Sequence, residues 1–128
     1  MQRIIVTGAT SMIGVALIEE CIKHGTEVYA VVREGSKKRS RLPESSLIKF
    51  ADCSLEHLDR LPEMISQECD TFYHIAWGNT GENRNSSTEL QSRNIGYTLA
   101  AVKAAAALGC KRFIGAGSQA EYGLLDLD

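Results

Sequence analysis

Residues 3–14 read Arg-Ile-Ile-Val-Thr-Gly-Ala-Thr-Ser-Met-Ile-Gly, a short apolar run followed at once by a glycine-bearing turn. The apolar run predicts a buried strand, and the helical spacing of apolar residues beyond it predicts a helix. Gly8 permits a tight turn out of the strand, and Gly14 permits close packing of the helix against the sheet. The first turn of such a helix presents free N–H groups and a positive dipole end. We therefore predict that this turn binds the pyrophosphate of a dinucleotide.

Strand-like and helix-like segments alternate over the rest of the chain, which predicts a parallel sheet with helices on both faces. Right-handed crossovers make this a doubly wound α/β sheet of the Rossmann type. The predicted strands are Arg3–Val6, Val28–Val32, Leu47–Phe50, Thr71–Ile75 and Arg112–Ala116, and the predicted helices are Met12–His24, Leu55–Ser66 and Thr88–Leu108. Residues 34–46 are polar and predict a loop with a partial helix. We expect five strands, with the chain ending before a sixth.

The composition predicts one globular domain over residues 1–128, because 44% of the residues are hydrophobic and 23% are charged. The net charge of −2, from 14 basic and 16 acidic residues, argues against nucleic acid and membrane surfaces as partners. The N-terminus has no signal-peptide pattern, which favours a cytoplasmic location. Cys21, Cys53, Cys69 and Cys110 form no Cys-x-x-Cys pair, so we expect free thiols and no metal site.

The turn at residues 7–14 resembles the Thr-Gly-x-x-Gly-x-x-Gly motif of the extended short-chain dehydrogenases/reductases, a family of NAD-dependent epimerases and dehydratases that modify nucleotide sugars. The resemblance implies the N-terminal, cofactor-binding part of a longer enzyme, without its substrate domain. One position departs from the motif, because Ser11 stands where the family has its middle glycine. That glycine leaves room for the phosphates, whereas we expect the Ser11 hydroxyl to donate to a phosphate oxygen. A turn without a ligand is the alternative.

Two places after the second and third strands resemble the adenosine-binding side of the same family. An acidic residue after the second strand is typical of NAD-preferring members, so Arg33 at that position favours NADP over NAD. The basic residues 37–39 either add charge there or form a solvated loop. Asp52 is expected at the adenine amine with the backbone of Cys53 beside it, and a turn cap is the alternative.

The segment Ile75-Ala76-Trp77 resembles the family's apolar stretch beneath the nicotinamide ribose. His74, just before it, is expected to be a core histidine rather than a general base. Asn94 resembles the family asparagine that supports the active-site strands from the long helix. The full set of expected cofactor contacts is Gly8, Thr10, Ser11, Met12, Ile13, Gly14, Arg33, Asp52, Cys53, Ile75, Ala76, Trp77 and Asn94.

The fifth strand leads into Ser118 and then Tyr122-Gly123, which resembles the family's Ser-Ser-x-x-x-Tyr-Gly segment. The resemblance implies that Ser118 is a catalytic residue that bonds the substrate oxygen and steadies developing charge. The family's proton donor is a tyrosine with a lysine four residues later, and none of the four tyrosines of this chain has one. Gln119 stands where the dehydratases have an acid, which disfavours dehydration among the family's activities.

Three functions therefore stay open. The first is the NAD(P)-binding domain of an epimerase, dehydratase or reductase that transfers hydride at a carbon of a nucleotide-linked sugar. The second is a non-catalytic NADP-binding redox sensor of the same fold, which the missing Tyr-Lys pair fits. The third is a domain without a ligand that serves in assembly. The unpaired edge of the fifth strand also predicts self-association into a homo-oligomer.

Overall fold

The computed structural model describes residues 1–78 and 88–118. In these ranges the strands are β1 (Arg3–Thr7), β2 (Glu27–Val32), β3 (Ile48–Asp52), β4 (Thr71–His74) and β5 (Arg112–Gly115). The helices are α1 (Met12–Lys23), α2 (Leu61–Met64) and α3 (Thr88–Ala107), and two 3₁₀ segments span Lys37–Arg41 and Leu55–Arg60. None of these helices is long and apolar enough to cross a membrane.

The five strands form one sheet in the order β3-β2-β1-β4-β5. Each neighbouring pair is parallel, with Ile4 opposite both Val28 of β2 and Thr71 of β4. The chain therefore builds outward from β1 in one direction and then returns to build outward in the other. This confirms the predicted doubly wound sheet, and it leaves a crevice outside the carboxyl ends of β1 and β4, where the direction changes.

Helical segments cover both faces of the sheet. On one face, Ile18 of α1 packs among Val6 and Val28. On the other face, Ala101 of α3 and Leu58 of the second 3₁₀ segment share a cluster with Phe72. Phe72 and Ile18 are fully buried, and burial of a side chain of this size stabilises the fold by about 1.5–3 kcal/mol.

The predicted helix over Leu55–Ser66 is not one element, and that prediction was wrong in form. The structure has a 3₁₀ segment to Arg60 and then a four-residue helix that begins at Leu61. His57 adopts non-helical backbone angles inside the first piece. Pro62 lacks the N–H that a helix interior needs, so it is accepted only in the first turn of a new helix.

Candidate functional site

An open cleft of about 740 Å³ lies outside the carboxyl ends of the central strands. Ten of the fourteen residues that the sequence singled out line it: Gly8, Thr10, Ser11, Met12, Ile13, Arg33, Cys53, Ile75, Ala76 and Trp77. Gly14, Asp52, Asn94 and Ser118 are not among its lining residues. A second cleft of about 330 Å³ lies at the opposite, amino end of the sheet, beside Asp70 and Arg112. The larger cleft occupies the crevice where ligands of doubly wound sheets bind.

The two glycines of the phosphate turn, residues 7–14, are both fixed by close backbone approaches. Gly8 has φ of +67°, and a Cβ placed on it would lie 2.8 Å from the Ala76 nitrogen. A Cβ on Gly14 would lie only 2.1 Å from the carbonyl oxygen of Gly8. No side chain fits at either place without moving backbone, so the glycines keep the turn close to both the helix and β4.

Ser11 caps helix α1 with its own hydroxyl. Its Oγ accepts a hydrogen bond from the Gly14 N–H at 3.1 Å and donates to the Gly8 carbonyl at 2.6 Å. The hydroxyl proton is used inside the turn in this structure, and its donation to a phosphate oxygen stays a prediction. Serine is a residue type expected at a helix N-cap. At the position where the family motif has its middle glycine, Ser11 links Gly8 to Gly14 through these two hydrogen bonds.

Two backbone amides remain open at the start of α1. The hydrogen bonds of the described chain take up the N–H groups of Ser11, Gly14 and Val15 but leave those of Met12 and Ile13 without an acceptor. Both side chains are exposed and line the cleft. Unpaired amides at the positive end of a helix dipole form an anion site.

The floor of the cleft, Ile75–Gly78, begins where β4 ends. The Ile75 and Ala76 N–H groups donate to Thr7 Oγ1 at 3.2 and 3.3 Å. The same oxygen lies 2.8 Å from Nδ1 of His74, which is buried. Burial lowers the pKa of His74. The structure confirms the prediction of a satisfied core histidine.

Asn94 of α3 holds the far end of the floor. Its side-chain Oδ1 accepts from the Gly78 N–H at 2.7 Å, and its Nδ2 donates to the Gly78 carbonyl at 3.0 Å. Asn94 Nδ2 and Trp77 Nε1 both donate to Oε1 of Gln91, at 3.2 and 3.1 Å. Asn94 is buried, so it acts on the cleft through the backbone of Gly78.

On the adenosine side of the cleft, Asp52 and Cys53 have partners that the sequence did not predict. Asp52 forms an ion pair with Arg39, whose guanidinium also lies over the Phe50 ring at 4.9 Å. The Cys53 N–H donates to the Val32 carbonyl at 2.9 Å, and its thiol lies 3.0 Å from the His57 carbonyl. One Asp52 oxygen and the Cys53 N–H therefore have partners within the chain, and the contact of Asp52 and the Cys53 backbone with adenine stays a prediction.

Three basic side chains, Arg33, Lys38 and Arg41, line this end of the cleft, and we call them the basic rim. Arg41 also donates from Nη1 to the Thr10 carbonyl at 3.2 Å, which links the first 3₁₀ segment to the phosphate turn. Of the expected basic residues 37–39, only Lys38 is among the lining residues. Sequence reasoning did not single out Arg41 as a site residue, because its contact with Thr10 depends on how the segment folds back.

Tyr97 and Glu56 also line the cleft and were missed as site residues. The Tyr97 hydroxyl donates to Glu56 Oε1 at 3.4 Å. Burial and, after it, the nearby Glu56 charge raise the pKa of Tyr97. The pKa of Glu56 is lowered, chiefly because its carboxylate accepts a hydrogen bond from the Glu56 backbone N–H. Tyr97 follows Asn94 by three residues on α3, and that helical spacing was the signal available.

Ser118 lies beyond β5 and is exposed. Near it, the Ala116 N–H donates to the His74 carbonyl at 3.0 Å, so this segment continues alongside the floor. Tyr122, Gly123 and Gln119, which the sequence associated with Ser118, lie outside the described residues.

Burial raises the pKa of all four cysteine thiols. All four are free thiols, and Cys53 and Cys69 are buried. Burial raises the pKa of Cys69 to about 12, which leaves it a protonated thiol near neutral pH. In residues 1–78 and 88–118, no three His, Cys, Asp or Glu side chains form a group that holds a metal ion.

Comparison with known proteins places this geometry among related folds. The model of the NAD dependent epimerase/dehydratase family matches residues 4–127. A search of curated proteins found no match. Similar solved structures include an epimerase from Methanothermobacter thermautotrophicus, at 24% identity and a TM-score of 0.78 over 99% of this chain and 38% of that one.

Two further solved structures show the same fold. The Bordetella bronchiseptica enzyme WbmH in complex with NAD⁺ has 17% identity and a TM-score of 0.77, over 100% of this chain and 42% of that one. The UDP-N-acetylglucosamine 4-epimerase of Methanobrevibacter ruminantium in complex with UDP-N-acetylmuramic acid has 19% identity and a TM-score of 0.80, over 98% and 41%. The chain thus spans about two fifths of the length of these matched structures.

Proposed function

This chain belongs to the NAD dependent epimerase/dehydratase family, and we propose that it is the NAD(P)-binding part of an enzyme that modifies a nucleotide-linked sugar. The observation that carries the proposal is the pair of open amides, Met12 and Ile13, at the mouth of the cleft. They lie beside two glycines whose Cβ positions are already filled by backbone. This arrangement fits a pyrophosphate, which needs amide donors and a close, side-chain-free approach.

Each part of the dinucleotide has matching residues in the cleft. The pyrophosphate would lie on the amides of Met12 and Ile13, the nicotinamide ribose over Ile75–Trp77, and the adenosine between Cys53 and the basic rim. When bound, the nicotinamide ring supplies a hydride acceptor or donor for the sugar carbon. Ile75, Ala76 and Trp77, which line the cleft, would hold the nicotinamide ribose.

We propose that the cleft prefers NADP to NAD. The three cations of the basic rim line the adenosine side, while Asp52 is paired with Arg39 and is not a lining residue. A 2′-phosphate adds two negative charges there, which guanidinium and ammonium groups bind well. WbmH was solved with NAD⁺, but at 17% identity its preference does not transfer to these side chains.

Ser118 is the residue that we propose to contact the sugar in the whole enzyme. It follows β5 on the segment that runs beside His74, and its hydroxyl would bond the sugar oxygen where charge develops. The tyrosine and lysine that complete proton transfer in the family are not found at the required spacing in residues 1–128. For epimerisation, dehydration and reduction alike, we propose hydride transfer to or from the sugar as the step that this cofactor-binding part serves.

A non-catalytic NADP-binding sensor is the second candidate. The lining of the cleft serves binding without chemistry equally well. Turnover of a nucleotide-linked sugar by the whole protein would exclude the sensor. Binding without turnover by the whole protein would support it.

Fluorescence titration tests the binding proposal directly. Trp77 is the single tryptophan, is about half exposed and lines the cleft. We expect saturable quenching by NADPH and by NADH, with tighter binding of NADPH. Quenching that is tighter with NADH would keep the site and remove the NADP preference. A folded chain without quenching or calorimetric heat from either cofactor would contradict the proposal.

A further inference from the structure

His74 has a defined hydrogen-bonding role that the proposed function does not use. Its side chain is buried, and its Nδ1 lies 2.8 Å from Thr7 Oγ1. It is not among the residues that line the cleft. A buried imidazole whose inner nitrogen already has a partner does not serve as a general base for a substrate in the cleft.

The surroundings of Thr7 decide which partner donates. Thr7 Oγ1 accepts the N–H groups of Ile75 at 3.2 Å and Ala76 at 3.3 Å, and the Ile75 N–H is shared with the Thr7 carbonyl oxygen at 3.3 Å. A hydroxyl oxygen has two lone pairs and one proton. Because two amides occupy the lone pairs, the proton is left for His74 Nδ1. The imidazole is therefore neutral, with its own proton on Nε2.

We propose that His74 is a positioning residue for the dinucleotide site, acting by accepting the Thr7 proton and so aiming the Thr7 lone pairs at the Ile75 and Ala76 amides. The proposal rests on the proposed function for its effect on cofactor binding. Its structural part, the orientation of the Thr7 hydroxyl, stands on the contacts alone.

The consequence reaches the phosphate turn through backbone contact. A Cβ on Gly8 would lie 2.8 Å from the Ala76 nitrogen, so turn and floor leave no space between them. A shift of Ala76 therefore either collides with Gly8 or opens a gap beneath it. Thr7 connects the two, since it ends β1 and begins the turn. Without an acceptor at position 74, the Thr7 hydroxyl can rotate and donate elsewhere, which releases the Ala76 amide, whereas the Ile75 amide keeps its bond to the Thr7 carbonyl.

Two substitutions at one position separate acceptor chemistry from packing. His74→Leu fills much of the space but accepts no hydrogen bond. His74→Asn offers Oδ1 near the place of Nδ1 and keeps an acceptor. Thr71→Val is the matched control, because Thr71 is another buried polar residue of β4 and lies at the far end of the strand, away from the cleft.

Amide hydrogen exchange of the ligand-free chain, measured by NMR, is the first readout. We expect His74→Leu to speed exchange at Ala76 by about tenfold, the factor that a hydrogen bond of ordinary strength represents, and to change Ile75 less, because its N–H also donates to the Thr7 carbonyl. His74→Asn should restore slow exchange, and Thr71→Val should leave both amides protected. Unchanged exchange at Ala76 in His74→Leu, or faster exchange in His74→Asn equal to that in His74→Leu, would overturn the proposal.

Cofactor affinity is the second readout. We expect the Kd for NADPH to rise by about tenfold in His74→Leu, to return to within about threefold in His74→Asn, and to stay unchanged in Thr71→Val. If the wild-type chain binds no dinucleotide, the proposed function fails, while the exchange data still decide the role of His74. If His74→Leu does not fold, the ring nitrogens of the wild-type chain decide instead. ¹⁵N NMR should find Nδ1 unprotonated, and a protonated Nδ1 at neutral pH would overturn the proposal.

Discussion

The phosphate turn and the basic rim lie at two sides of one cleft but are held in different ways. The turn is fixed by backbone, since Gly8 and Gly14 lie within 3 Å of other chain atoms at their missing Cβ positions. The rim is made of long side chains, and Arg33, Lys38 and Arg41 are all exposed. Backbone contacts allow one residue type at a position, whereas exposed side chains exchange partners at little cost. The turn should therefore govern whether a dinucleotide binds, and the rim should govern which one.

Gly14 provides the largest expected effect on the turn. Gly14→Ala places a Cβ 2.1 Å from the Gly8 carbonyl oxygen, and relief requires a shift of α1 or of the turn. We expect a loss of about 3 kcal/mol or more in the free energy of unfolding, measured by urea denaturation. Gly96→Ala on α3 is the control, because nothing lies within 4 Å of its Cβ. It should be neutral or stabilising by up to about 1 kcal/mol. Equal effects at the two glycines would contradict the claim.

Substitution of Asn94, which supports the floor segment at Gly78, should have the next largest effect on stability. Asn94→Leu removes the partners of both backbone groups of Gly78 inside a buried site. We expect a loss of about 2–3 kcal/mol in the free energy of unfolding and a weaker Kd for NADPH. Asn94→Asp keeps the acceptor for the Gly78 N–H and should lose less. A Leu variant with wild-type stability and affinity would show that Gly78 needs no support.

The basic rim should alter selectivity with little effect on stability. We expect Lys38→Ala and Arg33→Ala each to weaken NADPH by about tenfold while changing NADH by less than about threefold, as measured by calorimetry. Arg39→Ala is the matched control from the same segment, because Arg39 pairs with Asp52 and is not a lining residue. It should change the NADPH-to-NADH ratio little. Equal losses for the two cofactors would remove the rim from selectivity.

His74 provides a smaller, pH-dependent effect. Burial lowers its pKa below the usual 6.5, so below that pH the unfolded chain binds a proton that the native chain does not. The contribution of His74 to the free energy of unfolding is therefore fully present above about pH 6.5. It decreases as the pH falls from there toward the lower pKa of His74 in the native chain. Urea denaturation between pH 7.5 and 5.5 should show this decrease, and His74→Asn should reduce it. The pKa of Glu27 is lowered chiefly by the hydrogen bond from Arg3, so protonation of Glu27 reduces stability only below its usual pKa of 4.5. An identical slope in wild type and His74→Asn would contradict this account.

The same contrast between backbone and side-chain contacts explains which features could be predicted from the sequence. The doubly wound parallel sheet, the glycine turn after β1 and the apolar segment after β4 could be predicted, because alternation, glycine spacing and apolar runs report backbone geometry. The engagement of Asp52 by Arg39 and the reach of Arg41 to Thr10 could not, since each joins side chains from separate segments. The capping bonds of the Ser11 hydroxyl could not be singled out from the sequence, because a serine before a helix can serve both as an N-cap and as a donor to a ligand.

The most direct test of the turn removes one amide and leaves its helix intact. Met12 is the first residue of α1, where proline is accepted, and Ser11 before it has an extended backbone that suits a following proline. Met12→Pro therefore deletes an open N–H, and Met12→Ala keeps it while removing the same side chain. With both variants folded, we predict that NADPH binds Met12→Pro at least about tenfold more weakly than Met12→Ala. Equal affinities of the two variants would contradict the claim that the open amides of this turn bind the pyrophosphate.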